Sequence, residues 1–258
     1  MVAWTDLATH VERWLLPAEC CECFGPVRDR RDPLVCDVCR SRWRRIDPPM
    51  CPTCGEPAPL GLQCRLCPEW PPDFGPVRSA VLLDPVVRRL VHRFKYQGWW
   101  RLAESFAWRM VPLVADAGDA DLVPVPLARR RRRQRGYNQA ERLAAALGAM
   151  TGLPVRPDRL RRVRETPTQT RLTPESRRAN LAEAFTAEHN TRTAILVDDV
   201  FTTGATLCSA AAELLDRGAD RVRAVTFARA PLPLAGAAAS GTVAARGWRW
   251  PIPFSLRR

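Results

Sequence analysis

The chain has 258 residues, of which 40 are basic and 27 acidic, so its formal charge is +13 at pH 7. No apolar run reaches the roughly 18 residues that a membrane-spanning helix needs, which excludes an integral membrane protein built on helices. The basic charge favours phosphate-bearing partners. The first residues show no signal-peptide pattern, so we expect a cytoplasmic protein without membrane insertion.

The N-terminal quarter of the chain is rich in cysteine, and eight cysteines form four C-x-x-C pairs separated by 12, 11 and 9 residues. Two thiolates three positions apart can bind one ion, and two such pairs complete the tetrahedral site that zinc prefers. We therefore predict a double zinc-ribbon module over residues 1–72, which holds two structural Zn²⁺ ions and needs them in order to fold. The predicted ligands are Cys20, Cys23, Cys36, Cys39, Cys51, Cys54, Cys64 and Cys67.

The sequence leaves open both the chemistry of these cysteines and which pairs would share an ion. A disulfide framework is the alternative to zinc, although a reducing cytoplasm disfavours it. Consecutive pairs could share an ion, or the pairs could interleave. Cys21 could replace Cys20 as a ligand, although its spacing to Cys23 is one residue short. The module itself could serve as a scaffold, dock a partner or contact nucleic acid.

Residues 73–230 alternate strand and helix patterns, which predicts an α/β domain with a mostly parallel sheet flanked by helices. A helix is expected to start at Asp84, as N-cap, and Pro85, in the first turn. The predicted strands cover about 77–83, 122–126, 160–163, 194–197 and 222–227. The other predicted helices cover about 99–114, 138–150 and 205–217. Residues 231–258 are rich in Ala, Gly and Pro without periodicity, which predicts a disordered tail.

The most informative segment is residues 194–206, which read AILVDDVFTTGAT. An apolar strand is predicted to end in Asp198 and Asp199, and a hydroxyl-rich loop then enters a helix. Ligands of open α/β sheets bind at the carboxyl ends of strands, and a helix N-terminus offers amide donors to a phosphate. Two adjacent carboxylates can accept hydrogen bonds from ribose hydroxyls or help to hold Mg²⁺. The alternative is a polar strand end with ordinary capping.

Together these features predict a pocket for a sugar phosphate. Asp198 and Asp199 are the expected ligands of the sugar hydroxyls, and Gly204 lets the backbone approach the phosphate. A P-loop is not available, because the chain lacks the Gly-Lys-Ser/Thr that it requires. The predicted phosphate-binding residues are Thr202, Thr203, Gly204, Ala205 and Thr206.

Six arginines occupy seven positions from Arg129 to Arg135. This run could bind pyrophosphate, bind a nucleic-acid backbone or form a solvated charged turn, and the sequence leaves the three open. The aromatic residues Trp99, Trp100 and Tyr137 could stack on bases. Packing within the protein accounts for these aromatic residues more simply.

Several motifs, in order over residues 15–230, resemble the ComF family, the competence-associated members of the type I phosphoribosyltransferases. Relatives often have histidine and proline where Ala128 and Arg129 stand here. The matching motifs are the four cysteine pairs, VVRRLVHRFKYQG (86–98), PVPLARRRRRQRGYNQA (124–140), RETPTQTRLTPESRRANLAEAF (164–185) and the Asp198 loop.

The resemblance implies a type I phosphoribosyltransferase-like fold that binds phosphoribosyl pyrophosphate (PRPP) with Mg²⁺. Asp198 and Asp199 would then bind the ribose as catalytic residues, and residues 202–206 would hold the 5′-phosphate. Residues 164–173 would form a flap over the site. Arg135, Arg164 and Arg171 would be the cations that stabilise the departing pyrophosphate.

The resemblance also implies a role in the uptake and handling of transforming single-stranded DNA, with a helicase-like partner. Two functions stay open on these grounds. The first is a phosphoribosyltransferase whose acceptor is not identified. The second is a catalytically silent adaptor that binds nucleic acid and uses the transferase fold as a platform.

Overall fold

The structure is a computed structural model that describes residues 19–27, 32, 34–57, 64, 66–163, 184–189 and 192–231. The predicted flap at 164–173, with Arg164 and Arg171, lies outside the described residues. So does the predicted tail beyond Pro231. No helix in the described part of the chain is long and apolar enough to cross a bilayer.

A parallel sheet with the strand order β1–β6–β5–β2 forms the centre of the α/β part. All three strand pairings in it are parallel, which confirms the predicted mostly parallel sheet. Two short antiparallel strands, β3 and β4, pair with each other beside it. The sequence patterns did not indicate β4, because three residues are too few to show a periodicity. The strands are β1 Phe74–Leu82, β2 Asp121–Pro124, β3 Leu160–Arg162, β4 Phe185–Ala187, β5 Ala194–Phe201 and β6 Val222–Arg229.

Helices cover both faces of this sheet, as predicted. The described helices are α1 Asp37–Ser41, α2 Pro85–Tyr96, α3 Leu102–Met110, α4 Arg129–Arg135, α5 Gln139–Thr151 and α6 Ala205–Asp216. The apolar sides of α2, α3 and α5 form one hydrophobic cluster with one face of the sheet. The apolar side of α6 forms a second cluster with the opposite face and with β4.

Local sequence signals set the starts of two of these helices. Asp84 caps α2, since its Oδ1 accepts the N–H of Val87 at 2.9 Å, and Pro85 occupies the first turn. Asn138 caps α5 in the same way, by accepting the N–H of Ala140 at 3.1 Å. Both caps were predicted from the sequence.

The structure corrects two sequence-based boundaries and one of the alternatives for the arginine run. The helix predicted at 99–114 is α3 followed by a 3₁₀ turn, because Pro112 lacks the N–H that would continue α3. The arginine run is the short helix α4 rather than a loop or turn. β5 does not end before Asp198, because β6 pairs with it as far as Phe201, opposite Arg229.

The cysteine-rich segment and the α/β part share a hydrophobic core. Trp43 is 1% exposed, and its ring lies edge-on against Phe106 and Phe227 with centroid distances of 6.0 and 5.3 Å. The backbone also joins the two parts, since the N–H of Leu82 donates to the carbonyl of Arg44 at 2.8 Å. Residues on both sides of the predicted boundary after residue 72 therefore belong to one core.

Candidate functional site

Eight cysteines form two clusters, and within each the four Sγ atoms lie within 4.8 Å of one another. All ten cysteines of the chain are free of disulfide bonds. Consecutive C-x-x-C pairs come together, so the interleaved alternative is not the one adopted. Each cluster could hold one tetrahedral zinc ion. The first cluster is Cys20, Cys23, Cys36 and Cys39, and the second is Cys51, Cys54, Cys64 and Cys67.

Cys20 and its neighbour Cys21 have opposite environments. The backbone N–H groups of Glu22 and Cys36 each donate to Cys20 Sγ at 3.4 Å. Burial raises the pKa of Cys20, but these hydrogen bonds outweigh burial and bring the pKa to about 7. Cys21 packs in the core, where burial raises its pKa to about 12. The geometry therefore favours Cys20 over Cys21 as the ligand.

Asp198 and Asp199 lie near the end of β5 and leave the strand on opposite faces. Leu196 packs in the cluster that contains α6, whereas Val197 packs in the cluster that contains α2. Because side chains alternate along a strand, the side chain of Asp198 lies on the face covered by α6 and that of Asp199 lies on the face covered by α2. The two carboxylates therefore approach a ligand from either side of the strand rather than side by side.

One lysine offsets the charge of this acid pair. Asp199 is 5% exposed, and its Oδ1 lies 3.0 Å from Nζ of Lys95 on α2. The Asp198 carboxylate accepts the backbone N–H of Asp199 at 2.8 Å. Burial and the negative charge of Asp199 raise the pKa of Asp198 to about 7, against the opposing charges of Lys95 and Arg135. Asp198 therefore gains and loses its proton near neutral pH.

The loop between β5 and α6 presents free donors. Thr202 and Thr203 are exposed, and the helix begins after Gly204, at a φ of +79°, without a side chain capping it. The first N–H groups of α6 can therefore donate to an anion. A Cβ atom at position 204 would lie 2.6 Å from Cζ2 of Trp70 and 3.0 Å from the ring of Phe201. Glycine is required here both for its conformation and for lack of space.

The last residue of the arginine helix α4, Arg135, contacts the end of α2. Arg135 donates from Nη1 to Gln139 Oε1 at 2.8 Å and from Nη2 to the Tyr96 hydroxyl at 3.1 Å. Its guanidinium also stacks on the Tyr96 ring, 4.7 Å from the ring centroid. Tyr96 follows Lys95, and the charge of Arg135 opposes the rise in the pKa of Asp198.

An aromatic and basic surface adjoins this end of α4. Tyr96 is 60% exposed and Trp100 is 44% exposed, and Arg142 stacks 4.9 Å from the Trp100 ring centroid. Trp99 is also exposed, and Trp100 lines two clefts of about 380 and 210 Å³. We define the aromatic–basic surface as Tyr96, Trp99, Trp100, Arg135 and Arg142.

Packing explains only one of the three aromatic residues noted in the sequence. The hydroxyl of Tyr137 donates to the carbonyl of Phe94, and the two rings lie 6.1 Å apart. Tyr137 therefore has a structural partner. The exposed rings of Trp99 and Trp100 keep area available for a ligand.

Three cavities lined by described residues lie apart from the acids. One of about 460 Å³ is lined by residues that include Arg45, Ser79, Trp108 and Arg109. The two clefts beside Trp100 are likewise lined by residues other than Asp198 or the threonine loop. Among the described residues, the candidate site is therefore defined by the acids, Lys95 and the loop.

Sequence reasoning missed two residues of the site, Lys95 and Trp70. Lys95 is the only lysine of the chain and lies in the 86–98 motif, a signal that could have identified it. Trp70 offered no such signal. Its contact with Gly204 joins residues that are far apart in the sequence.

Comparisons with known proteins identify relatives of this chain. A family model described as "Phosphoribosyl transferase domain" matches residues 133–237. DNA utilization protein YhgH of Escherichia coli K12 is 32% identical over 199 residues, which cover 73% of this chain and 87% of YhgH. Competence protein ComFC of Bacillus subtilis is 31% identical over 203 residues, 72% of this chain and 80% of ComFC.

Two further proteins extend these comparisons. Competence protein F of Haemophilus influenzae is 30% identical over 225 residues, which cover 82% of this chain and 96% of that protein. Among solved structures, Trypanosoma cruzi hypoxanthine phosphoribosyl transferase aligns with a TM-score of 0.34 at 14% identity. That alignment covers 54% of this chain and 76% of the other.

The cysteine clusters predict two zinc ions per chain by elemental analysis of the purified protein. Cys20→Ser should lower the content to about one, because it removes one of four ligands from a tetrahedral site. Cys21→Ser is the matched control and should retain two. A loss of zinc in Cys21→Ser, with retention in Cys20→Ser, would contradict the assignment.

The raised pKa of Asp198 predicts how stability changes with pH. Between about pH 4 and pH 7, the folded protein keeps the proton of Asp198, whereas the unfolded chain, in which the pKa is the ordinary 3.8, has released it. The free energy of unfolding should therefore fall as the pH rises from about 4 to about 7 and level off above that. Asp198→Asn removes this effect and should raise the free energy of unfolding at pH 8 by about 2 kcal/mol, roughly half the full value of the shift because solvent screens it. The gain should vanish near pH 4.

Urea unfolding at several pH values measures this effect. Asp220→Asn, at an exposed acid, is the control and should follow the wild type at each pH. An equal gain for Asp198→Asn at pH 4 and pH 8 would show that Asp198 has an ordinary pKa.

Proposed function

The chain belongs to the ComF family, whose members carry a phosphoribosyltransferase-like domain, and from this we propose that it binds PRPP with Mg²⁺ at residues 198–206. One observation carries the proposal. A strand with two acids leads directly into a helix N-terminus that no side chain caps, through a loop with two exposed threonines. These groups match the hydroxyls and the 5′-phosphate of a ribose phosphate.

The loop would hold the 5′-phosphate. The first N–H groups of α6, together with the hydroxyls of Thr202, Thr203 and Thr206, would donate to its oxygens. α6 has 12 residues, long enough to place partial positive charge at this end. Gly204 would keep the backbone open to the phosphate. Ala205, the first helical residue, contributes its N–H and no bulk.

The acids would hold the ribose. Asp198 and Asp199 would accept hydrogen bonds from its hydroxyls, and Lys95 supplies the counter-charge for the buried Asp199. Mg²⁺ in nucleotide sites usually binds one or two carboxylates plus phosphate oxygens, and this pair fits that donor set. When bound, Mg²⁺ would neutralise charge on the pyrophosphate.

Such a site would support group transfer at the anomeric carbon. The bond from that carbon to pyrophosphate would break, the electron pair would leave with pyrophosphate, and a lone pair of the acceptor would form the new bond as the acceptor loses a proton. Arg135, with Arg164 and Arg171 of the predicted flap, would stabilise the leaving group. No described residue selects an acceptor, so an adaptor that binds PRPP without turnover is the alternative.

A second candidate function is the binding of single-stranded DNA at the aromatic–basic surface. Nonspecific recognition of a single strand combines stacking on aromatic rings with arginines that track the phosphates. Here Arg135 and Arg142 stack on the exposed rings of Tyr96 and Trp100. YhgH and ComFC are named for DNA utilization and competence, which agrees with this use. The proposal of a helicase-like partner rests on the family resemblance alone.

Binding of PRPP with Mg²⁺ can be measured by calorimetry. The double variant Asp198→Ala, Asp199→Ala should bind at least about a hundredfold more weakly, because two hydrogen bonds to charged groups, each worth about 1.5–3 kcal/mol, are lost. Asp216→Ala with Asp220→Ala makes the same charge change at exposed acids and should bind as the wild type does. Unchanged affinity of the Asp198, Asp199 variant would reject the site.

Binding of a single-stranded oligonucleotide tests the second function. Affinity should fall linearly with salt on logarithmic axes as counterions are released. Trp100→Ala should weaken it about fivefold or more, the loss of one stacked base. Trp108→Ala is the control, since Trp108 is equally exposed and also lies under an arginine, Arg40. Equal losses in both variants, or no binding at low salt, would contradict the proposal.

A further inference from the structure

The first knuckle of the second cysteine cluster, Cys51–Cys54, is bound to the edge strand β1. The N–H of Val77 donates to the carbonyl of Thr53 at 2.7 Å, and Arg78 Nη2 donates to the carbonyl of Pro52 at 2.8 Å. A Cβ atom on Gly55 would lie 2.6 Å from the carbonyl oxygen of Val77. This knuckle is therefore fixed to the sheet by its backbone.

Arg229, at the end of β6, connects this knuckle to the threonine loop. The residue is 1% exposed, its Nη2 donates to the carbonyl of Cys54, and its Nε lies 3.2 Å from Oε2 of Glu56. The guanidinium covers the ring of Phe201 at 3.8 Å from the centroid. Phe201 immediately precedes Thr202. The buried guanidinium of Arg229 thus joins the Cys51–Cys54 knuckle to the start of the loop.

The second knuckle reaches the same loop through Trp70. The N–H of Trp70 donates to the carbonyl of Cys67 at 3.3 Å, so the tryptophan continues the turn of the cluster. Its ring lies 4.9 Å from the ring of Phe74 and 6.3 Å from that of Phe201. Its Cζ2 occupies the space where Gly204 would carry a side chain. Trp70 therefore forms the back wall of the loop.

We infer that Trp70 and Arg229 are positioning residues through which the metal-loaded second cluster holds the loop of residues 202–206 in its anion-binding shape. The ion would join a knuckle fixed to the sheet with the knuckle that carries Trp70, since each supplies two of the four thiolates. Without the ion, the pair Cys64 and Cys67 can move Trp70 away from Gly204. The inference rests on the proposed function for the identity of the anion.

The first cluster is a natural internal comparison. Three of its cysteines, Cys20, Cys36 and Cys39, pack with α2 and α3 in the other hydrophobic cluster, whereas Trp70 and Phe201 pack with α6. Loss of zinc from the first cluster should therefore leave the loop unchanged. The two clusters offer matched substitutions of a cysteine that is not fully buried, Cys23 in the first and Cys67 in the second.

The test compares Cys67→Ser with Cys23→Ser in the full chain. Each variant should lose about one zinc ion by elemental analysis. Amide exchange followed by mass spectrometry should speed up in peptides that cover residues 202–210 only in Cys67→Ser. The N–H of Cys208, which donates to the carbonyl of Gly204 at 2.8 Å, reports directly on the start of α6. Affinity for PRPP with Mg²⁺ should fall about tenfold in Cys67→Ser.

Substitution of Trp70 separates positioning from general destabilisation. Trp70→Ala should keep two zinc ions but show the faster exchange and weaker PRPP binding of Cys67→Ser, because the back wall is removed. Trp70→Phe should restore most of both properties. Trp108→Ala, at an exposed tryptophan away from the loop, should change neither.

The outcomes distinguish this inference from the proposed function. Unchanged exchange of residues 202–210 in Cys67→Ser, or equal acceleration in Cys23→Ser, would overturn the inference. Absence of PRPP binding in the wild type would reject the proposed function. The exchange comparison would still decide whether the second cluster holds the loop.

Discussion

The acid pair on β5, with Asp199 buried, is the constraint on which the rest of the site depends. Asp199 is nearly inaccessible, and burial together with the charge of Asp199 raises the pKa of Asp198 to about 7, so folding places two carboxylates where their charges are costly. Among the described residues, Lys95 forms an ion pair with Asp199. A protein that gained nothing from these charges would be more stable with amides or apolar residues here, as buried ion pairs generally show. A ligand that brings hydroxyl groups or a cation to the two carboxylates would offset this cost.

The cysteine-rich segment is part of the same structure rather than an attachment to it. Trp43 packs into the core beneath the sheet, and Trp70 packs behind Gly204. Each of these tryptophans lies in a turn just after a pair of cysteines, and its contact joins that turn to the α/β part. Because so small a segment has little apolar core of its own, bound metal would fix the geometry of both contacts. Packed side chains thus connect the cysteine-rich segment with the loop of residues 202–206.

Local signals allowed much of this fold to be predicted from the sequence. Cysteine spacing gave the two clusters, and the caps Asp84 and Asn138 gave the starts of two helices. The extension of β5 through Asp198 and the pairing of Lys95 with Asp199 were not predictable in this way. Both depend on neighbours distant in the sequence, β6 in the first case and α2 in the second. Such contacts leave no periodic pattern in either segment.

The most direct test of the account is a crystal structure of the protein soaked with PRPP and Mg²⁺. The account predicts electron density for the 5′-phosphate on the first N–H groups of α6, with the ribose hydroxyls on Asp198 and Asp199. Density for the ligand elsewhere, for example in the cavity between Arg45 and Arg109, would contradict it. An empty loop beside an unchanged Lys95–Asp199 pair would contradict it equally, if the crystals were soaked at a PRPP concentration that saturates binding in solution.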